Sequence, residues 1–280
     1  MSETEKRTDS IIENQDCSTE NNESSVKNLK KRFLVGNIKY AVVADEGSAG
    51  TVEVVGVSDI SAFELVIPDT VTLDSRDYKV IYISARAFRG CTRMTRAEIP
   101  DSVNGIGDGA FYGCTGLTEV VIGKGVKKIG VDVFTGCESL TKIQVDDANS
   151  DYCSPDGVLY SKDKTKLIRC PQCRTGSYVV PDSVTDICRG AFRGCTALTD
   201  VVFFDSVVRI GDYAFYACEG LTGIEIDRGV EEIGDFAFSF CGNLKSVRLD
   251  APKSQVGEKV FYGCSSLTSI QVGDKVRKMR

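Results

Sequence analysis

AFYACEGLTGIEIDRGVEEIGDF, residues 214–236, is one turn of a pattern that runs through most of this chain. Its opening Phe-x-x-Cys occurs seven times, at Phe88, Phe111 and Phe134, and then at Phe192, Phe215, Phe238 and Phe261. Within each run the spacing is 23 residues. A fixed period of this size marks a solenoid, in which short units that cannot bury an apolar face alone stack and share one continuous core.

Counted from each Phe, a Cys follows at three residues and a Leu or Met at six, as in Cys114 and Leu117 or Cys218 and Leu221. Nine and eleven residues on come pairs such as Val120 and Ile122, or Ile224 and Ile226. That alternation predicts a short, half-buried strand with one face turned outward. At fifteen and eighteen stand Val126 and Ile129, or Val230 and Ile233, each second residue being followed by a glycine such as Gly130 or Gly234. The glycine is expected to permit positive φ at a bend, and the stretch Asp212 to Ala214 to form one tight helical turn before the next Phe. Lys253 interrupts the fifteenth column, so the sixth unit is expected to be irregular on that side.

Twelve cysteines in a small secreted domain would suggest a disulfide framework, but seven of these occupy one repeated position. Equivalent positions of stacked units lie roughly 5 Å apart with parallel side chains, a poor match to disulfide geometry. Cys91, Cys114, Cys137, Cys195, Cys218, Cys241 and Cys264 therefore read as small buried thiols.

Composition narrows the function classes. With 280 residues, 42% hydrophobic, the chain can bury a substantial core. Its net charge of −6 is interspersed and forms no basic stripe, which argues against nucleic acid as a partner. Histidine is absent, which removes the imidazole general base, the Ser-His-Asp and Cys-His arrangements and every His-containing zinc site. The expectation is a protein that is not an enzyme and carries no cofactor. Met1 to Ser10 (MSETEKRTDS) is polar where a secretory signal would be apolar. No apolar run reaches the roughly 18 residues of a membrane helix, so no membrane insertion by this chain is expected.

These columns resemble the BspA-like leucine-rich repeats, whose unit reads approximately Ala-Phe-x-x-Cys-x-x-Leu-x-x-Val-x-Ile-Pro-x-x-Val-x-x-Ile-Gly. Ala110 to Asp132 and Ala214 to Phe236 match nearly every fixed position, and the resemblance covers about Phe33 to Met279. It implies an α/β-type solenoid, mainly β: a leucine-rich-repeat right-handed superhelix with an N-terminal β cap and an inserted β-hairpin. It also implies binding of a protein or glycan ligand, with an adhesion-like role at a cell surface. Since the chain has no visible export signal, a cytoplasmic scaffold stands as the alternative location and role.

The expected organisation has five parts. Residues 1–31 are polar, hold too little apolar surface to offset the entropy of ordering, and are predicted to be disordered. Residues 32–84 alternate as strands and form the cap, and residues 85–148 are the first block of repeats. Residues 149–177, with SPDGVLYSKDKTKLI at their centre, are the inserted hairpin, and residues 178–280 are the second block. The chain ends at Val276 to Arg280 inside the seventh unit without a polar closing turn. Either the terminal charges cap the stack or a longer chain continues.

The candidate binding residues lie on the outward strand face, at positions eight, ten and twelve after each Phe. The tenth positions run Glu98, Val121, Gln144, Val179, Val202, Glu225, Arg248 and Gln271, apolar in the middle and polar toward both ends. Val179 and Val202 should be neighbours, with Phe204 beside them at a position held elsewhere by Pro100, Gly123, Asp146, Asp227, Asp250 or Gly273. Val121, Val179, Val202, Phe204, Glu225 and Arg248 are thus the candidate ligand-binding set. Phe204 has two readings, an exposed contact aromatic or a ring folded against the inserted hairpin. The weaker chemical alternative is a zinc or redox site at Cys170-Pro171-Gln172-Cys173, with Cys153 and Cys188 as further ligands. The spacing lacks a second Cys-x-x-Cys, and no metal is expected. Gly105, Gly107 and Gly109 read as repeat punctuation rather than a dinucleotide loop. The acid pairs Asp146 and Asp147, and Glu231 and Glu232, read as solvated turn charges.

Overall fold

The period predicts a strand, a bend, an extended stretch and a turn per unit, and in the computed structural model the extended stretch is itself a second, two-residue strand. The structure describes residues 31–45, 49–60, 64–251, 254–273 and 275–278. The tail through residue 30 and Lys253 lie outside the described residues. The N-terminal region contributes β1 (Arg32–Val35), β2 (Ile38–Ala44), β3 (Gly50–Val57), β4 (Glu64–Val66), β5 (Thr70–Leu73) and β6 (Arg76–Ile83). The next strands are β7 (Arg96–Ile99), β8 (Gly105–Ile106), β9 (Glu119–Ile122), β10 (Lys128–Ile129) and β11 (Lys142–Val145). They are followed by β12 (Tyr152–Cys153), β13 (Leu159–Ser161) and β14 (Lys166–Arg169). Then come β15 (Gly176–Val179), β16 (Asp186–Ile187), β17 (Leu198–Val202), β18 (Arg209–Ile210), β19 (Gly223–Ile226) and β20 (Glu232–Ile233). The last four are β21 (Ser246–Leu249), β22 (Gln255–Val256), β23 (Ser269–Val272) and β24 (Lys275–Lys278).

Parallel pairing follows the period. β4, β7, β9 and β11 form one ladder, with Ala97 opposite Val120 and Val120 opposite Ile143. On the other side the two-residue strands β8 and β10 extend a sheet that begins with the antiparallel β1, β2 and β3 and continues through β6. In the later units β16, β18, β20 and β22 form the corresponding second ladder. The last described strand turns back, β24 pairing antiparallel with β23.

Between the ladders each unit passes through an arc around its Phe, and here two expectations are corrected. The arc is not a helical turn: among the described residues there is no α-helix, and the helical content is a single 3₁₀ turn, Pro155–Gly157. Alternate N–H groups point in different directions. Ala87, Arg89 and Cys91 close tight turns on the carbonyls three residues back, whereas Arg86, Phe88 and Gly90 donate to Asp108, Ala110 and Tyr112 of the next unit. The alternation needs left-handed backbone two residues before and two after the Phe, as at Tyr213 (φ 56°) and Ala217 (φ 56°) around Phe215. A helix would turn every N–H back into its own unit and leave the next arc unpaired.

The second correction concerns the glycine column. Gly130 and Gly234 are absent from the left-handed positions. What their place requires is closeness: a Cβ on Gly234 would sit 2.5 Å from Asp212 N, in the backbone of the preceding unit. The same aspartate accepts the Asp235 N–H at Oδ1, 2.9 Å, which explains the recurring Asp after the glycine.

Stacking arrays the buried side chains in rows. Phe192, Phe215 and Phe238 are fully buried, with ring centroids 4.8 and 4.9 Å apart and planes within 10°. Burial of each ring contributes about 3 kcal/mol. The thiols add a bond as well as bulk. Cys114, Cys137, Cys218 and Cys241 each donate S–H to the Phe carbonyl of the unit before, at 3.0–3.2 Å. Burial pushes the Cys137 thiol up to about 12 and raises Cys218 well above its ordinary value, so these two stay protonated.

The buried core divides at β13. Leu159 packs with the residues from Ile38 to Val145, while Val158 and Tyr160 pack with those from Leu167 to Val260. Successive side chains of a strand face opposite ways, and β14 divides likewise, with Ile168 toward the first core and Leu167 in the second, so these two strands serve as a septum.

Candidate ligand-binding face

The outward face of the longer strands is not one surface but three. β4, β7, β9 and β11 form the first; β15 and β17 form a pair; β19, β21, β23 and β24 form the third. The 3₁₀ turn lies against β11, where a Cβ on Gly157 would be 3.2 Å from Lys142 Cγ. Arg174 joins this turn to the second surface, donating to Asp156 O at 3.3 Å while its guanidinium lies 5.0 Å from the centre of the Tyr178 ring.

On the second surface Val179 and Val202 are direct partners across the parallel pair. They are 55% and 40% exposed, and Phe204, just beyond β17, is 43% exposed. Among the described residues no other aromatic ring pairs with Phe204. Fully buried Val180 and half-buried Pro181 carry the chain past them into the next bend.

The third surface adjoins it across a break, because β17 and β19 share no ladder. A trough of about 640 Å³ runs from Val202 past Glu225 and Arg248 to Gln271. Its depth comes from small residues at the eighth position, Gly223, Ser246 and Ser269, beneath the longer side chains of the tenth. Register places Glu225 beside Arg248 and Arg248 beside Gln271. Arg248 also pairs with Asp250 at 2.9 Å. Partial burial raises the Asp227 carboxyl above its usual range, helped by Asp205, Glu225 and Asp250. Nothing in the sequence pattern singles out this trough, although the run of small residues at one column was its visible trace.

Val121 lies apart from these, on the first surface, between Glu98 and Gln144 in a hollow of about 360 Å³. There Arg96 holds Glu98 at 2.7 Å and Glu119 at 3.2 Å, and the Arg96 hydrogen bond keeps the Glu98 carboxyl below its usual range. The structure thus brings together Val179, Val202 and Phe204 on one side of the break and Glu225 and Arg248 on the other, with Val121 separate.

The four cysteines of the alternative zinc or redox site do not converge. Cys170 is buried beside the core, with Cys195 donating toward its carbonyl region, whereas Cys173 is exposed and donates to Glu138 O at 3.0 Å. Cys153 faces Ser161 O, and Cys188 is held by burial at a pKa of about 11. Among the described residues no three Cys, Asp or Glu side chains are grouped to hold a metal ion.

A stack of short parallel strands closed by arcs, with cysteine and leucine rows inside, defines a leucine-rich-repeat solenoid, a fold that is typically non-enzymatic. The chain belongs to the BspA type leucine rich repeat family, whose profile matches residues 62–155 and 170–280 in six copies. The fold is similar to that of a leucine-rich repeat protein from Eubacterium ventriosum, at 23% identity and a TM-score of 0.56, covering 84% of this chain and 76% of that one. It is also similar to the pneumococcal vaccine antigen PcpA, at 19% identity and a TM-score of 0.50, covering 88% of each chain. Among curated proteins none matches by sequence.

Proposed function

We propose that this protein is a non-enzymatic binding protein that holds a protein or glycan ligand on its outward strand face. The observation that carries the reading is the exposed apolar group Val179, Val202 and Phe204 beside the polar trough of Glu225 and Arg248. Exposed aliphatic and aromatic side chains rimmed by polar groups are the ordinary composition of an interaction site. An adhesion-like role at a cell surface follows from the family resemblance. Capture of partners by the folded chain, compared with the variant Val179→Asp, Val202→Asp and Phe204→Asp, tests the site. Loss of a partner with an unchanged melting temperature supports it. Retention of every partner overturns it, and a lower melting temperature for Phe204→Asp alone means that ring is a packing residue.

A second reading, an intracellular interaction scaffold, is favoured by one observation: all eleven cysteines among the described residues are unpaired. Free thiols persist in reducing compartments. Thiol labelling of freshly isolated native protein, with and without denaturant, separates the two settings. Full labelling on denaturation without reductant supports the scaffold, and disulfide-protected cysteines speak for the surface.

A further inference from the structure

Where β12 to β14 part the two sets of repeats, the arc at residues 130–135 does not meet the arc that begins at Cys188. A cleft of about 420 Å³ remains between them. Ile129, Val133, Phe134, Leu159 and Ile168 give it apolar walls. Its volume lies at the low end of small-ligand pockets, roughly 300–1,000 Å³.

The unusual wall residue is Arg169. It is 6% exposed, yet no carboxylate pairs with it among the described residues. Its Nη atoms donate to the carbonyls of Gly190 at 2.6 Å and of Phe134 and Arg193 at 3.2 Å, while its buried Nε has no partner. Asp132, the acid of the facing arc, is engaged by Arg189 at 3.8 Å and Arg193 at 3.9 Å. Four basic residues line the cleft, Lys127, Lys166, Arg169 and Arg189, against Asp132 and Asp151. A positive surplus in a chain of net charge −6 runs against its average composition. A buried cation held only by neutral dipoles is costly, and a bound anion relieves that cost.

We propose that this cleft binds a small monocarboxylate with an apolar body. The carboxylate supplies the acceptor that Arg169 Nε lacks and offsets the surplus charge; the body lies against Phe134, Leu159 and Ile168. One unpaired N–H beside an apolar wall suits a single negative charge, whereas a phosphate dianion calls for several converging donors. The site is separate from the strand face, so its failure leaves the proposed ligand surface untouched.

The test is calorimetric titration of the full chain with octanoate, phenylacetate and indole-3-acetate, alongside neutral phenylacetamide. The comparison variant carries Lys127→Glu and Lys166→Glu, both exposed in the native protein, with its melting curve recorded as a folding control. Saturable one-to-one binding of at least one carboxylate is expected, weakened about tenfold or more in the variant and in the amide. Absence of saturable binding for all three acids at millimolar concentration overturns the proposal. So does an amide that binds as tightly as its acid, or a folded variant with unchanged affinity.

Discussion

Five thiols of the cysteine row, Cys114, Cys137, Cys218, Cys241 and Cys264, donate to the Phe carbonyl of the unit before, so their protons are part of the packing. Burial lifts Cys137 to about 12 and Cys188 to about 11, from 9.0 for an unburied thiol. The unfolded chain therefore gives up these protons first, and stability is full below pH 9 and falls as pH rises toward 11 to 12. Melting temperatures followed across that range should decline, and Cys137→Ala should make the decline shallower. The glycines allow a sharper comparison. Gly234→Ala drives a Cβ into the Asp212 backbone and should cost about 3 kcal/mol in urea unfolding, as overpacking does. Gly113→Ala sits at φ +71° with its nearest neighbour 3.9 Å away and should cost only about 1–2 kcal/mol, the left-handed penalty. Equal losses would contradict the assignment of one glycine to closeness and the other to backbone hand. The periodic glycine was visible in the sequence, but which of two physical demands it met was not, because both demands select the same residue.

At the scale of elements, the decisive piece is the segment from β12 to β14. Cys170 N donates to Ala191 O, and the Arg169 guanidinium reaches Phe134 O, the carbonyl that receives a thiol at most other steps. One side chain thus stands in for a missing arc. Arg169→Met takes the guanidinium donor from Arg193 O and a second donor from Gly190 O and Phe134 O, which keep the Arg193 and Cys137 N–H groups; it should lower stability by about 2–3 kcal/mol, measured by denaturant titration, and Arg169→Lys should recover little, since it lacks the planar fork. The strands of the repeats were legible because seven copies average out local noise, and Val179 beside Val202 followed from the columns. Arg169 was not legible: it occurs once, has no column to be compared with, and an arginine in a strand ordinarily faces water. The trough escaped for another reason. It arises from side chains that Gly223, Ser246 and Ser269 do not have, and from a gap between β17 and β19 that depends on tertiary stacking.

For the whole molecule, two cores that part at the hairpin strands β13 and β14 imply that damage on one side stays there. Phe238→Ala removes a fully buried ring stacked between Phe215 and Phe261 and should cost about 3–5 kcal/mol. Hydrogen exchange followed by mass spectrometry should then show faster exchange in residues 178–273 and unchanged protection in residues 64–145. Uniform acceleration throughout would mean that β13 and β14 couple the cores instead of separating them. The alternating amides of the arcs carry a last consequence. A coil inside a run, such as the one around Phe215, passes three arc N–H groups forward to Asp235, Ala237 and Ser239 and accepts three from Gly190, Phe192 and Gly194 behind, so it enters or leaves the stack with no bond left over. Excising Ala214 to Phe236 joins Tyr213 to Ala237 and keeps every row in phase. Molecular length is therefore quantised: the chain can shorten or grow by steps of 23 residues with its ladders intact, and by no smaller amount.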